Sequence, residues 1–128
     1  MITGGIMISQ TFPLARKQPG QTLAAARYLL EELGLTTLHF VDLPDEKELL
    51  TIGKVIAANH VTAVYCITRA LSEQSLNLSD LDEVRRLQAV ELCKHHLRVA
   101  CLAHATAIDV VSGPRPMGGE TERAQALL

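Results

Sequence analysis

The sequence predicts a three-layer α/β fold, with about four mainly parallel strands that alternate with helices. Segments of strand length alternate with segments of helical period along the chain, and the strands are almost entirely apolar, as expected where both faces of a sheet are covered. With 128 residues, of which 48% are hydrophobic, the chain is long enough for one core. We expect one domain over residues 1–112, half-barrel-like or doubly wound, and a turn or tail over residues 113–128 with room for a short helix.

Four segments have the length and the β-branched content of strands. They are residues 5–12, 36–43, 61–68 and 97–105. Because a segment of helical period separates each strand from the next, and right-handed crossovers are the rule, the strands should run parallel and end at one edge of the sheet. That carboxyl edge is where open α/β sheets and α/β barrels bind their ligands.

Three segments between the strands have a helical period. They are residues 21–34, 45–60 and 79–96. Gly34 suits the left-handed position that often follows a helix, so it marks the end of the first. Asp45 is the expected N-cap of the second helix and Ser79 that of the third, where Asp82 at the third helical position resembles a capping box.

Polar side chains follow the predicted strands at the carboxyl edge. They are Asp42, Thr68, Arg69, Glu73, His104 and Thr106. We assign catalysis to His104 and Glu73, because imidazole and carboxylate groups can exchange protons. Arg69 would hold a carboxylate or phosphate of the substrate, with Thr68 and Thr106 beside it. If all share one edge, His104 lies within about 10 Å of Asp42 and Arg69, since neighbouring strands are about 4.8 Å apart.

A divalent metal is the candidate cofactor, with Asp42 as a ligand. Asp42, Glu73 and His104 are the only set of metal-ligating side chains at the predicted carboxyl edge. Their spacing matches no diagnostic metal motif. The sequence therefore leaves the cofactor undecided.

Each of these residues also has a structural interpretation. Arg69 and Glu73 are four residues apart and could pair with each other or with solvent. His104 could be a partly buried histidine with a satisfied hydrogen bond, and Asp42 could be a turn residue before Pro44. Both interpretations stay open for each residue at this stage.

Within residues 61–99 a strand is followed by Ser72-Glu73, a helix then opens after Asn77-Leu78-Ser79, and a segment beginning Leu97-Arg98-Val99 follows. Together with Glu83 and Arg86 on the helix, this order resembles the metal-dependent lyases and synthases related to 3-hydroxy-3-methylglutaryl-coenzyme A lyase. The resemblance implies a TIM-barrel enzyme that cleaves or forms a carbon-carbon bond next to a carbonyl group.

The chain departs from that family at its metal motifs. The family has an Arg-Asp-Gly signature after its first strand, whereas TFPLARKQPG here contains no acid. The family also has a His-x-His pair, and no two histidines of this chain are two residues apart. Either two copies complete the barrel, or the likeness is one of shape alone.

Two classes of function follow from these observations. The first is an α/β domain that binds a carboxylate- or phosphate-bearing small molecule, with lyase- or aldolase-like catalysis as an extension. The alternative is a non-catalytic, oligomeric interaction or regulatory module. No GxxxxGK[ST], GxGxxG, GxSxG or HExxH motif occurs, so the common nucleotide-binding, elbow-hydrolase and zincin sites are not expected.

Composition restricts partners and location. Aromatic residues make up 3% of the chain, so base-stacking platforms are scarce and a nucleic-acid partner is not expected. Three cysteines without a CxxC spacing favour reduced thiols and the cytoplasm, and no apolar run approaches about eighteen residues, so no membrane span is expected. The uncharged strand in residues 5–12 favours self-association into a homo-oligomer.

Overall fold

The computed structural model describes residues 5–15, 17–41 and 46–113. The strands are β1 Gly5–Met7, β2 Thr37–Val41, β3 Thr62–Cys66 and β4 Ala107–Asp109. The helices are α1 Ile8–Thr11, α2 Gln21–Arg27 with a π-helical continuation Tyr28–Glu32, α3 Glu46–Asn59, α4 Thr68–Glu73 and α5 Glu83–Leu102. The predicted positions Asp42 and Asp45 and most of the predicted tail lie outside the described residues.

The four strands form one sheet in the order β1-β2-β3-β4, and each neighbouring pair is parallel. The α/β class with a parallel sheet that alternates with helices is therefore confirmed. The strand order follows the chain order without the reversal that defines a doubly wound sheet. A sequential order of parallel strands also occurs in parallel barrels, and the half-barrel-like arrangement stays a prediction.

One face of the sheet carries the core. Leu38, Phe40, Ala63 and Tyr65 alternate along β2 and β3, and each is at most 1% exposed, because side chains two residues apart on a strand point to the same side. They join one cluster with residues of α2, α3 and α5, among them Ala26, Leu29, Ile52, Ile56, Ala89 and Ala100. The three helices thus pack on this face of the sheet.

The first predicted strand is shorter than expected. Only Gly5–Met7 pair with β2, and the chain then turns through α1, where the Thr11 hydroxyl donates to the Met7 carbonyl at 3.3 Å. The next helix ends as predicted, since Gly34 follows it with a φ of 63°. Glycine adopts this left-handed conformation without a steric penalty.

The predicted fourth strand is wrong. Residues 97–102 belong to α5, a helix of 20 residues, and the fourth strand is Ala107–Asp109. Cys101, expected inside a strand, is an exposed helical residue. The segment LRVACLA contains a single β-branched residue, Val99, and its leucines, arginine and alanines are good helix formers, so the helix continues past His95 and His96.

The predicted N-cap of the third long helix is also wrong. Ser79 is buried but lies before the helix, which begins at Glu83 with Asp82 as its N-cap. The Asp82 carboxylate accepts hydrogen bonds from the N–H groups of Val84 and Arg85 at 2.9 and 3.4 Å. Aspartate satisfies free N–H groups at a helix start as well as serine does, so either residue could have served.

No helix among the described residues is long and apolar enough to span a membrane.

Candidate functional site

The predicted site residues lie at two opposite edges of the sheet. Thr68, Arg69 and Glu73 follow β3 at the carboxyl edge. His104 and Thr106 precede β4 at the amino edge. Since β3 has five residues, the two groups are separated by roughly 16 Å along the strand direction. The expected proximity of His104 to Arg69 is therefore wrong, because β4 begins after His104 instead of ending at it.

His104 occupies the turn that ends α5. Its φ is 52°, its N–H donates to the Cys101 carbonyl at 3.1 Å, and the next N–H, of Ala105, donates to Ala100 at 2.9 Å. These two bonds form a Schellman motif, whose left-handed residue is usually glycine. The imidazole lies over Gly53 of α3, where an added Cβ would be 2.9 Å from its Cδ2. The geometry thus gives His104 a role in ending the helix, and its catalytic role stays a prediction.

Thr106 closes the start of the β3–β4 pair. Its hydroxyl accepts the Ala63 N–H at 3.1 Å and donates to the Ala63 carbonyl at 3.2 Å. Its own N–H donates to the same carbonyl at 2.8 Å. The predicted contact of Thr106 with a substrate is untested, but a hydroxyl bonded in this way serves the backbone of the sheet.

Arg69 and Glu73 form an ion pair on the surface of α4. The Arg69 Nε donates to Glu73 Oε1 at 2.7 Å, and the two side chains are 47% and 53% exposed. Such an exposed pair four residues apart contributes about 0.3–0.5 kcal/mol to stability. Arg69 and Glu73 thus pair with each other in this conformation, as their structural interpretation expects. Their roles toward a ligand stay predictions.

A cavity of about 640 Å³ opens at the carboxyl edge, beyond the ends of β3 and β4. We call it the carboxyl-edge cavity. It is lined by Thr68, Leu71, Ser72, Ser75, Leu76, Asn77, Asp80, Val111 and Gly113. Its volume is within the range of small-molecule sites, and its lining combines an apolar floor with a few polar groups, as such sites do. One predicted site residue, Thr68, lines it.

Hydrogen bonds between two segments hold the walls of this cavity. The Val111 N–H donates to the Thr68 hydroxyl at 3.0 Å, and the Leu78 N–H donates to the Ser112 carbonyl at 2.9 Å. The chain after β4 is thereby tied both to the start of α4 and to the loop that follows α4. The walls are preformed, because both ties are made within the protein.

A close contact fixes the end of the cavity at Gly113. This residue has a φ of 123°, a conformation that side chains rarely adopt. A Cβ at this position would clash with the Asn77 side chain. Asn77 is itself held by its Oδ1, which accepts the Ser79 N–H at 2.8 Å. Glycine is therefore required here for the two walls to meet.

Asp80 places a carboxylate in the cavity wall. Its Oδ1 accepts the Asp82 N–H at 2.9 Å, and its Oδ2 accepts the Nε–H of Arg85 at 3.0 Å. These two hydrogen bonds, that of Asp82 first, hold the pKa of Asp80 below its ordinary value. Arg85 also donates to the Ser75 carbonyl, so its guanidinium is engaged by the loop. Asp80 is thus ionised at neutral pH, and its charge is paired with that of Arg85.

The described residues do not assemble the predicted metal site. No group of three or more His, Cys, Asp or Glu side chains that could hold a metal ion occurs in residues 5–15, 17–41 and 46–113. Glu73 and His104 belong to opposite edges of the sheet, so they cannot bind one ion together. Asp42 lies outside the described residues, and its role as a ligand stays a prediction.

Several residues of the cavity were not among the predicted site residues. Ser75, Asp80, Val111 and Gly113 belong to loops; Val111 lies beyond the predicted fourth strand, and Gly113 belongs to the predicted tail. The signal that could have identified them is the correct position of β4, since residues after a parallel strand reach the carboxyl edge. Because the predicted fourth strand lies at residues 97–105, the residues that follow the observed β4 were not expected at the carboxyl edge.

Comparison of the chain with protein-family models, with curated proteins and with solved structures finds no match.

Proposed function

We propose that this chain binds a small molecule in the carboxyl-edge cavity. The observation that carries the proposal is the cavity itself, about 640 Å³ in volume, at the edge where parallel α/β sheets bind ligands. Residues from two separate connections line it, those after β3 and those after β4. Their walls are tied by the bond from Val111 to Thr68. A site built in this way needs little rearrangement on binding, which favours affinity.

The lining favours a ligand rich in hydroxyl or amino groups. Thr68, Ser72 and Ser75 offer hydroxyls that donate and accept, and Asn77 adds an amide. The ionised carboxylate of Asp80 can accept hydrogen bonds but cannot donate them, so it suits a hydroxyl or an ammonium group. Leu71, Leu76 and Val111 supply the apolar surface for the carbon skeleton.

The sequence predicts a ligand with a carboxylate or phosphate group, but the cavity offers fewer contacts to an anion than to a neutral or cationic group. Among the described residues that line the cavity the only charged one is Asp80, and a carboxylate offers an anion no attraction. Arg69 is held by Glu73 at 2.7 Å and Arg85 by Asp80 at 3.0 Å. A carboxylate or phosphate would have to replace one of these partners. Neutral or cationic ligands therefore fit these residues better than anions do.

Catalysis, including lyase or aldolase chemistry, has less support than binding in the geometry of the described residues. Asp80, the one carboxylate among the described residues that line the cavity, has a pKa below its ordinary value, which makes it a weak proton acceptor near neutral pH. His104, the predicted base, is at the other edge. Binding is thus the function that this geometry supports best.

A ligand panel with a matched pair of variants tests the proposal. Neutral polyols, amines, carboxylates and phosphates of sugar size are added separately, and the shift in melting temperature is measured, since a ligand stabilises the fold that binds it. Ser72→Trp fills the cavity from an exposed helical position, and Ala58→Trp adds the same bulk at an exposed position of α3.

We expect at least one neutral or cationic compound to raise the melting temperature of the wild type and of Ala58→Trp, but not that of Ser72→Trp. Equal shifts in all three proteins would place the ligand elsewhere. No shift with any class would contradict the proposal. A shift with anions alone would keep the site but overturn the assigned ligand chemistry.

A further inference from the structure

The sheet has two edge strands that are complementary to each other. Among the described residues, β1 pairs only with β2 and β4 only with β3. Because all neighbouring strands are parallel and follow the chain order, both edges run in the same direction. An edge of one copy can therefore accept the opposite edge of another copy in the same parallel sense that the sheet already uses.

Within residues 107–111, the β4 edge has few of the features that prevent such pairing. Residues 107–111 are all exposed, and Ile108, Val110 and Val111 are 37%, 44% and 54% exposed. The stretch contains one charged residue, Asp109, and no lysine or proline. Monomeric proteins usually protect an edge with such residues or with a covering element.

The hydrogen bonds of β4 show which of its residues turn their backbone N–H and C=O groups away from β3. The Asp109 carbonyl accepts the Ile67 N–H at 2.8 Å, and the Val111 N–H donates to Thr68, so both residues turn their backbone groups toward the β3 side. Backbone groups alternate between the two sides of a strand. Ile108 and Val110 therefore present their N–H and C=O groups outward, where a further strand would pair.

The face of the sheet opposite the core also carries apolar residues. Val41 and Cys66 are each 7% exposed, and Met7 and Val64 are half-buried. None of the four belongs to the core cluster that joins the sheet to the helices. This face would line the interior if the sheet closed into a barrel.

We propose that β4 of one copy pairs in parallel with β1 of a second copy. We call this strand pair the joint, and a twofold axis between the copies repeats it. Two copies then contribute eight strands in the order β1-β2-β3-β4 twice, a number that can close into a barrel without free edges. The occupant is a second copy because the chain itself supplies both complementary edges. Other proteins would have to supply an edge of the same direction.

The joint also has a consequence for the carboxyl-edge cavity. Val111 and Gly113, which follow β4, line that cavity. In a parallel joint the residues that follow β1 of the second copy, such as Thr11 and Phe12, lie at the same edge as these two. The second copy would thus add a wall to the cavity.

Sedimentation equilibrium of the full chain at tens of micromolar tests the joint, with two variants at one position. Ile108→Pro removes the outward N–H and leaves the bonds to β3 intact, which an edge strand tolerates. Ile108→Ala removes the side chain and keeps the N–H. Circular dichroism confirms folding, and Val110→Pro, just after the last paired residue, replaces Ile108→Pro if that variant fails to fold.

We expect the wild type and Ile108→Ala to sediment as dimers and the folded proline variant as a monomer, with a dissociation constant raised at least tenfold. A monomeric wild type at this concentration would overturn the proposal. A dimer that is equally tight in the proline variant would also overturn it, because the interface would then lie away from the β4 edge.

Discussion

The amino and carboxyl edges of this sheet use polar residues for different purposes. At the amino edge, helices end in left-handed residues, Gly34, His60 and His104, and short connections lead directly into the strands. The polar groups there are bonded to the backbone, as Thr106 is to Ala63. At the carboxyl edge, residues that follow β3 and residues that follow β4 enclose a cavity of about 640 Å³. A polar residue near a strand therefore indicates a site only when the direction of the strand is known.

The comparison predicts that crowding at the amino edge costs stability and leaves binding intact. A Cβ at Gly53 would lie 2.6 Å from the Leu102 carbonyl oxygen, so Gly53→Val must push α5 away from α3. We expect a loss of about 1–3 kcal/mol in the free energy of unfolding, as is usual for overpacking. Urea denaturation measures it. An unchanged stability would mean that the two helices are not in close contact.

The role of His104 is tested by a substitution that improves a helix end. His104→Gly removes an imidazole but supplies the residue that suits a φ of 52°, so we expect an equal or higher free energy of unfolding, by up to about 1 kcal/mol. Binding of the compound found in the ligand panel should not change. Loss of binding with unchanged stability would restore His104 to the functional site.

The sequence predicted the part of the fold in which local preferences and burial agree. β2 and β3 are apolar and flanked by periodic helices, so their places follow from pattern alone. The segment after Ser79 was harder, because Asn77 and Asp80 both accept backbone N–H groups two residues on. These turns delay the helix start to Asp82, and no periodicity reveals such a delay.

The end of that helix determined how much of the site could be predicted. A histidine in a Schellman motif gives no glycine signal, so residues 97–105 were interpreted as a strand and His104 as its carboxyl end. Thr68 was assigned correctly to the carboxyl edge, because it follows β3. Asp80 and Gly113 line the cavity only through tertiary contacts, which one sequence does not display.

A small effect is expected from the ion pair at the rim of the carboxyl edge. Arg69→Gln removes the guanidinium that pairs with Glu73, and both side chains are about half exposed. We expect a stability change of about 0.5 kcal/mol or less and retained binding of neutral compounds. Thermal denaturation with and without the compound measures both. A large loss of affinity for a phosphate or carboxylate would instead support the predicted anion-binding role of Arg69.

The pH dependence of the cavity wall should be the smallest effect near neutrality. The folded pKa of Asp80 is below its ordinary value, so its stabilising interactions are complete above that ordinary range and are lost only as the pH falls through the lowered value. Between pH 6 and pH 8, the wild type and Asp80→Asn should therefore differ by a constant amount. Melting temperatures across this range provide the measurement. A difference that grows within it would contradict the direction of the pKa shift.

The central claim, that the carboxyl edge and not the amino edge binds a ligand, is tested most directly by amide chemical shifts. The compound of the panel that raises the melting temperature most is titrated into the labelled full chain, and the perturbed amides are assigned. We predict that the largest changes fall in residues 72–80 and 111–113, which line the cavity. Changes centred on residues 103–106, at the amino edge, would contradict the claim.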